Sequence, residues 1–252
     1  MEAAATAQSS PASKPVLSTD DLGKRFGALV VLDGVSVQLA PDGALGIVGP
    51  NGAGKTTLLD MLAGAGRPDR GTVSFNGGDV TRLGAAGRCR LGIGRTHQVP
   101  RPFVDMTVFE NVLVGSTMGA GLRASAAQER AVEVIERTHM TRLANRRAGA
   151  LGLLDRKRLE LARSLATAPS VLLLDEIAGG LTEVETGDLV EEIKELRESG
   201  IAIVWIEHVV HALLRIAERM ICMSAGRVIA EGEPDAVMND PAVIDAYLGS
   251  AA

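Results

Sequence analysis

The segment Gly49-Pro50-Asn51-Gly52-Ala53-Gly54-Lys55-Thr56-Thr57 sets two glycines, a lysine and a hydroxyl side chain at the spacing G-x-x-x-x-G-K-[ST], which grips a phosphate chain. Glycines let successive backbone N–H groups turn toward one anion without side-chain obstruction. A helix starting at the end of the loop adds the positive end of its dipole. In such a loop Lys55 reaches the β- and γ-phosphates of a nucleoside triphosphate, and the Thr56 hydroxyl ligates Mg²⁺. A second motif is the apolar run Val171-Leu172-Leu173-Leu174, which ends in Asp175 and Glu176. A buried strand of this kind delivers Asp175 beside the Mg²⁺ at the carboxyl edge of a sheet, where ligands bind in open α/β folds. Glu176, one residue on, points at the water attacking the γ-phosphate and polarises it as general base. Ile201–Ile206, followed by Glu207 and His208, repeats the layout, and His208 is expected to contact the γ-phosphate or to hold the attacking water. His97, His139 and His211 lack such a position and read as surface or packing residues.

These groups need strands that end together. Val16–Leu22 and Val30–Leu39 read as strands separated by a turn around Gly23–Gly27, and Ala44–Val48 as a short apolar strand running straight into the glycine-rich loop. Thr56–Ala63 is expected to be a helix ended by Gly64–Gly66, and Thr72–Phe75 with Asn76-Gly77-Gly78 a strand and turn of a small antiparallel region. A mostly helical insertion is expected over about residues 100–168, with apolar residues at helical spacing in Glu129–His139 and Arg156–Thr167, and Pro169 closing it. Strands and helices then alternate: strand Val171–Leu174, helix Leu189–Glu198, strand Ile201–Ile206, helix His211–Ala217 and strand Arg219–Met223. That alternation implies a parallel sheet with right-handed crossovers.

Composition limits the alternatives. A chain of 252 residues can bury a substantial core. Only 2% of residues are aromatic and the net charge is −5, so neither base-stacking platforms nor a basic surface is available for nucleic acid. No stretch approaches the roughly 20 apolar residues needed to span a bilayer, and residues 1–15 read as a disordered tail without a signal-peptide segment. Cys89 and Cys222 lack metal-ligand spacing and read as reduced thiols of a cytoplasmic protein. With no spanning or signal segment expected, any membrane association is expected to come through a partner.

The order of these motifs resembles the ATP-binding cassette family, the motor subunits of ABC transporters, from Val16 to Gly249. The resemblance implies a P-loop NTPase (RecA-like) α/β core and one cassette domain over residues 16–252, with ATP held by Gly49 to Thr57. It implies that Phe26 stacks on adenine. It also implies that Gln98, in GIGRTHQ, contacts Mg²⁺ and water while linking the insertion to the membrane subunit. Lys55, Glu176 and His208 would form the catalytic set, and Thr56, Gln98 and Asp175 the metal set. The run GIGRTHQVPRPFVDMTVFENVLVG and the ending GRVIAEGEPDAVMNDPAVIDAYLG are similar to the hydrophobic and branched-chain amino-acid uptake branch. Such systems pair two cassettes, as a hetero- or homodimer, with permease subunits on the cytoplasmic face and, indirectly, a solute-binding protein.

The family's signature loop, Leu-Ser-Gly-Gly-Gln, aligns with Leu151-Gly152-Leu153-Leu154-Asp155, where the serine hydroxyl, the second glycine and the glutamine are replaced. In family dimers this loop meets the partner's γ-phosphate. The substitutions imply two unequal sites in a heterodimer, or a branch-specific variant that works normally. Ile177, Thr182 and Glu183 also depart from the usual proline, Asn or Asp, and proline. An importer ATPase leads. An exporter ATPase and a low-turnover regulatory subunit are the alternatives, and the transported solute is not written in the sequence.

Overall fold

The computed structural model describes residues 14–248. In chain order the elements are β1 (Leu17–Phe26), β2 (Leu29–Leu39), β3 (Ala44–Val48), α1 (Lys55–Ala63), β4 (Arg70–Phe75), β5 (Gly78–Asp79), α2 (Ala85–Leu91), β6 (Ile93–Arg95), α3 (Val108–Val114) and α4 (Ala124–Arg137). They continue with α5 (Leu153–Leu165), β7 (Val171–Asp175), α6 (Glu183–Glu198), β8 (Ala202–Ile206), α7 (Val210–Leu214), β9 (Arg219–Ser224), β10 (Arg227–Gly232), α8 (Pro234–Met238) and α9 (Pro241–Leu248). The expected tail falls outside the described residues except for Lys14 and Pro15.

Six strands form the main sheet in the order β10-β9-β3-β8-β7-β6, parallel throughout except for the β9–β10 hairpin. Four more, β2-β1-β4-β5, form the small antiparallel sheet. The strands β3, β7 and β8 are buried at every position because both faces of the sheet are covered. Successive side chains alternate between two cores. Leu45, Ile47, Leu173, Val204 and Ile206 pack under α1 and the antiparallel sheet, whereas Val48, Leu172, Leu174, Ile203 and Trp205 pack under α5 and α6. Helices α3, α4 and α5 lie between β6 and β7 in the chain, beside the sheet edge formed by β6.

Several boundaries differ from the sequence reading. β1 does not stop at a turn around Gly23–Gly27. It runs on to Phe26 through register shifts at Leu22/Gly23 and Lys24/Arg25, and only Gly27 and Ala28 turn the hairpin. Bulges absorb what looked like loop chemistry. α6 begins at Glu183 rather than Leu189. The Thr182 hydroxyl accepts from the Glu185 N–H while the Glu185 carboxylate accepts from the Thr182 N–H, so a reciprocal cap starts the helix six residues early. α7 ends at Leu214, short of Ala217, and β6, α2 and α3 are additional elements.

Candidate active site

β3 ends at Val48, and the loop that follows wraps into α1. Gly49 has φ +142°, and a Cβ there would lie 2.1 Å from the Met223 carbonyl oxygen, so only glycine lets the loop leave the strand so close to β9. Gly54, at φ +101°, caps α1 without a side chain and would meet the Val31 carbonyl at 2.6 Å if it carried a Cβ. The loop is therefore pressed between β9 and β2. At the far end of α1 the buried Arg88 guanidinium donates to the Leu62 carbonyl at 2.9 Å and to that of Met61, which anchors the helix that begins at Lys55.

Lys55 is buried, and its ammonium donates to the Gly49 carbonyl at 2.7 Å and the Pro50 carbonyl at 3.1 Å. Burial lowers its pKa, while the nearby charge of Glu176 opposes that shift, as do those of Cys222 and Asp175. The cation is thus stored across the mouth of its own loop. Thr56 is exposed at the start of α1, and Thr57 is half-buried beside it. Asn51 and Gly52 are exposed at the crest, Pro50 is half-buried and Ala53 is buried.

Asp175 closes β7, 2% exposed. One oxygen, Oδ2, accepts from Arg95 at 3.1 Å, and Arg95 also pairs with Asp60 of α1. The other, Oδ1, is buried with no hydrogen-bond partner. Burial raises the Asp175 pKa against the opposing pull of Arg95. An unpartnered carboxylate oxygen is a poor fit for a merely structural residue and a good one for a hard divalent cation. Among the described residues no group of three or more His, Cys, Asp or Glu could hold a metal alone. That suits Mg²⁺, which takes one or two protein ligands and completes its shell with phosphate oxygens and water.

Glu176 follows in the left-handed region, φ +46°, with its N–H donating to the Ile206 carbonyl at 2.9 Å. The turn fixes its side chain between two loops. Oε1 lies 2.9 Å from His208 Nε2, and Oε2 accepts from Gln98 Nε2 at 2.5 Å. Non-glycine residues held in this conformation cluster at functional sites because the surrounding structure must enforce it. Val99, Pro100 and Leu153 line the same hollow as Gln98 and Glu176, so the glutamine faces both the carboxylate and the start of α5.

The structure brings Glu176, His208 and Gln98 into direct contact. Lys55 lies near enough to Glu176 and Asp175 for their charges to act on it. Phe26 is apart from this cluster, 57% exposed at the tip of the β1–β2 hairpin, with the Lys24 ammonium 5.4 Å from the ring centre. That leaves a ring face open to a flat heterocycle. His97 is a surface residue, within the surface-or-packing expectation, with Nδ1 2.8 Å from Glu160.

Four residues escaped the sequence reading. Arg95 holds Asp175. Glu207, 1% exposed, accepts from the Ala178 N–H at 2.6 Å, the Trp205 indole at 3.3 Å and the His208 N–H at 3.3 Å. Lys157 of α5 donates to the Glu176 carbonyl at 3.4 Å and lies near the Glu207 charge. Tyr247 accepts from the Gly49 N–H at 2.8 Å. Only Glu207 carried a local signal, an acidic residue directly after a wholly apolar strand.

The family model described as ABC transporter matches residues 32–179. The chain belongs to the ABC transporter ATP-binding family. A second model, the branched-chain amino acid ATP-binding cassette transporter, matches residues 227–252 of the cassette. It is 39% identical to the high-affinity branched-chain amino acid transport ATP-binding protein LivG of Escherichia coli (strain K12), over 95% of this chain and 100% of LivG. It is 34% identical to the lipopolysaccharide export system ATP-binding protein LptB of Haemophilus influenzae, over 93% of this chain and 97% of LptB. A solved ABC transporter cassette in its ADP conformation superposes with a TM-score of 0.87 at 32% identity, covering 94% of this chain and 100% of that one. The cassette is an ATP-hydrolysing transporter subunit on a P-loop NTPase core, as the motifs implied. A more distant solved ATP-binding cassette, 23% identical with a TM-score of 0.79 over 86% of this chain and 98% of that one, is a dimer bound to ADP and Pi. Among the described residues no helix is long and apolar enough to cross a membrane.

Proposed function

We propose that the cassette powers uptake of branched-chain amino acids or related small polar or carboxylate solutes. It would work at the cytoplasmic face with permease subunits, a second cassette and, indirectly, a solute-binding protein. The full-length similarity to LivG, together with the C-terminal match, carries the solute class. Glu176, held at both carboxylate oxygens, carries the catalytic reading.

Backbone N–H groups of Gly49 to Thr57 cradle the ATP phosphates, and Phe26 takes the adenine. Lys55 exchanges the Gly49 and Pro50 carbonyls for phosphate oxygens. Thr56, Asp175 and Gln98 would hold Mg²⁺, which when bound neutralises charge building on the phosphates. Glu176 accepts the hydrogen of the attacking water, His208 fixes the carboxylate and faces the γ-phosphate, and Gln98 sets the second oxygen. Most of the acceleration is positioning and charge complementarity.

A partner subunit has a fitting surface beside β6. A groove of about 360 Å³, lined by Arg90, Val114, Met118, Gly119 and Arg163, lies between the core and the helical unit and suits a permease segment. The altered signature loop Leu151 to Asp155 would meet the nucleotide of the second cassette more weakly, so the two sites of a heterodimer would turn over unequally.

The test is ATP-driven uptake of labelled leucine by vesicles carrying the complex. Lys55→Ala should abolish nucleotide binding and turnover, and Glu176→Gln should leave binding while cutting turnover by about 10²–10³-fold. Turnover unaffected by both changes would refute the site. Similarity to LptB supports export as a second reading, and outward movement of solute in the same vesicles would favour it.

A further inference from the structure

Gly49 is held by side chains on both sides of its Cα. Its carbonyl accepts from Lys55 Nζ at 2.7 Å, and its N–H donates to Tyr247 Oη at 2.8 Å, across 198 positions of sequence. The strand ladders stop short of it. The β3–β8 register ends at Ile47↔Ile206 and the β3–β9 register at Val48↔Cys222, so the Gly49 N–H is the first donor beyond the sheet. Its acceptor comes from α9, which Val243, 1% exposed, pins to the larger core and whose Tyr247 ring packs against that core.

We propose that Tyr247 is a positioning residue for the phosphate loop, so that the C-terminal helix sets nucleotide affinity. This rests on the reading of Gly49 to Thr57 as the nucleotide site. A glycine with φ +142° has no side chain to fix its conformation, and its two flanking peptide planes are set by whatever holds them. In that reading the Lys55 ammonium turns to phosphate when nucleotide binds, and the Gly49 carbonyl loses its partner. The Tyr247 hydroxyl is then the side-chain hold that remains on Gly49. It bonds the Val48–Gly49 peptide, which leaves the N–H groups farther along the loop free for phosphate. The segment matched by the branched-chain cassette model, residues 227–252, contains this tyrosine, so the assignment gives that C-terminal extension a task in the nucleotide site.

Tyr247→Phe keeps the ring and removes the hydroxyl, and with it the acceptor of the Gly49 N–H. Calorimetric titration of the full chain with ADP at fixed Mg²⁺ should show affinity falling about 5- to 30-fold, because the Gly49 peptide, once Lys55 turns to phosphate, has then lost both side-chain holds in the bound state. KM for ATP should rise in parallel while kcat at saturation changes less than about 3-fold, because the groups around Glu176 are untouched. The melting temperature without nucleotide should fall by about 2–8 °C, because the same N–H is orphaned in the unliganded chain. ADP affinity within 2-fold of the unmodified chain would overturn the proposal. So would a fall in melting temperature with affinity unchanged, the mark of a packing role alone. Lys55→Ala is run in parallel: retained ADP binding there would overturn the nucleotide-site reading itself, whereas lost binding there beside normal binding in Tyr247→Phe would overturn the tyrosine's role alone.

Discussion

Replacing Glu207 with leucine and with glutamine separates charge from hydrogen bonding directly beneath the Glu176–His208 pair. Leucine has a similar volume but leaves the Ala178 N–H, the Trp205 indole and the His208 N–H without their acceptor. Each orphaned buried donor costs about 1–3 kcal/mol, and the two 3.3 Å bonds count at the low end of that range. Glu207→Leu should therefore lose about 3–5 kcal/mol, and at about 2–4 °C per kcal/mol for a domain of this size Tm falls by roughly 6–20 °C. Glutamine keeps an oxygen toward Ala178 and Trp205, sacrifices only the bond to His208 and removes a buried charge. Its Tm should stay within about 4 °C of wild type.

The two proteins also differ in pH response. Burial raises the Glu207 pKa above 4.5, against the opposing hydrogen bonds of Ala178, Trp205 and His208 and the charge of Lys157. The native state then keeps a proton that the unfolded chain has released. Its contribution to stability is present below 4.5 and declines as pH rises through the folded value. Glu207→Gln lacks that proton and gains stability relative to wild type across the same window. Urea unfolding followed by the fluorescence of Trp205, the one tryptophan, at steps from about pH 4 to 8 reads both effects. A Glu207→Leu Tm within about 2 °C of wild type would refute the hydrogen-bond argument. A pH-independent difference between Glu207→Gln and wild type would refute the electrostatic one.

Gly49→Ala should cost at least about 4 kcal/mol or prevent folding, since its methyl would overlap the Met223 carbonyl. Gly52→Ala, at φ +80° with open space around its Cβ, should lose only about 1–3 kcal/mol in the same melting experiment. Gly152→Ser enters an open position at φ −68° ahead of α5 and restores the hydroxyl of the signature loop. In a heterodimer whose own Glu176 is replaced by glutamine, it should raise turnover at the partner's site about 10-fold, and an unchanged rate would show that the loop works normally as it stands.

What the sequence made legible was local. The loop from Gly49 to Thr57 announces itself by spacing, and the runs Val171–Leu174 and Ile201–Ile206 are apolar at every position because a two-sided sheet buries every position. Glu176 and His208 then follow from where those strands stop. The cap at Thr182 and Glu185 was equally visible, yet the polar first turns of α6 hid it until the structure showed its early start. Arg95, Lys157 and Tyr247 could not be read in this way. Each acts on the site across a long separation in sequence, and nothing in the immediate neighbourhood of an arginine, lysine or tyrosine says which distant carbonyl, carboxylate or N–H it will meet. The strand β6, three residues with a glycine in the middle, is too short for periodicity to register.

The pairing of β7 with β8 sets Asp175 opposite Ile206, and the next amide, that of Glu176, closes onto the Ile206 carbonyl. That ladder works as an index. Because neighbouring side chains on a strand face opposite ways, sliding one strand by a single residue would exchange the places of the Asp175 and Glu176 carboxylates. The apolar letters of Val171–Leu174 can therefore be exchanged for one another with modest loss, while deleting any one of them would disarm the enzyme in a protein that still folds around a dry core.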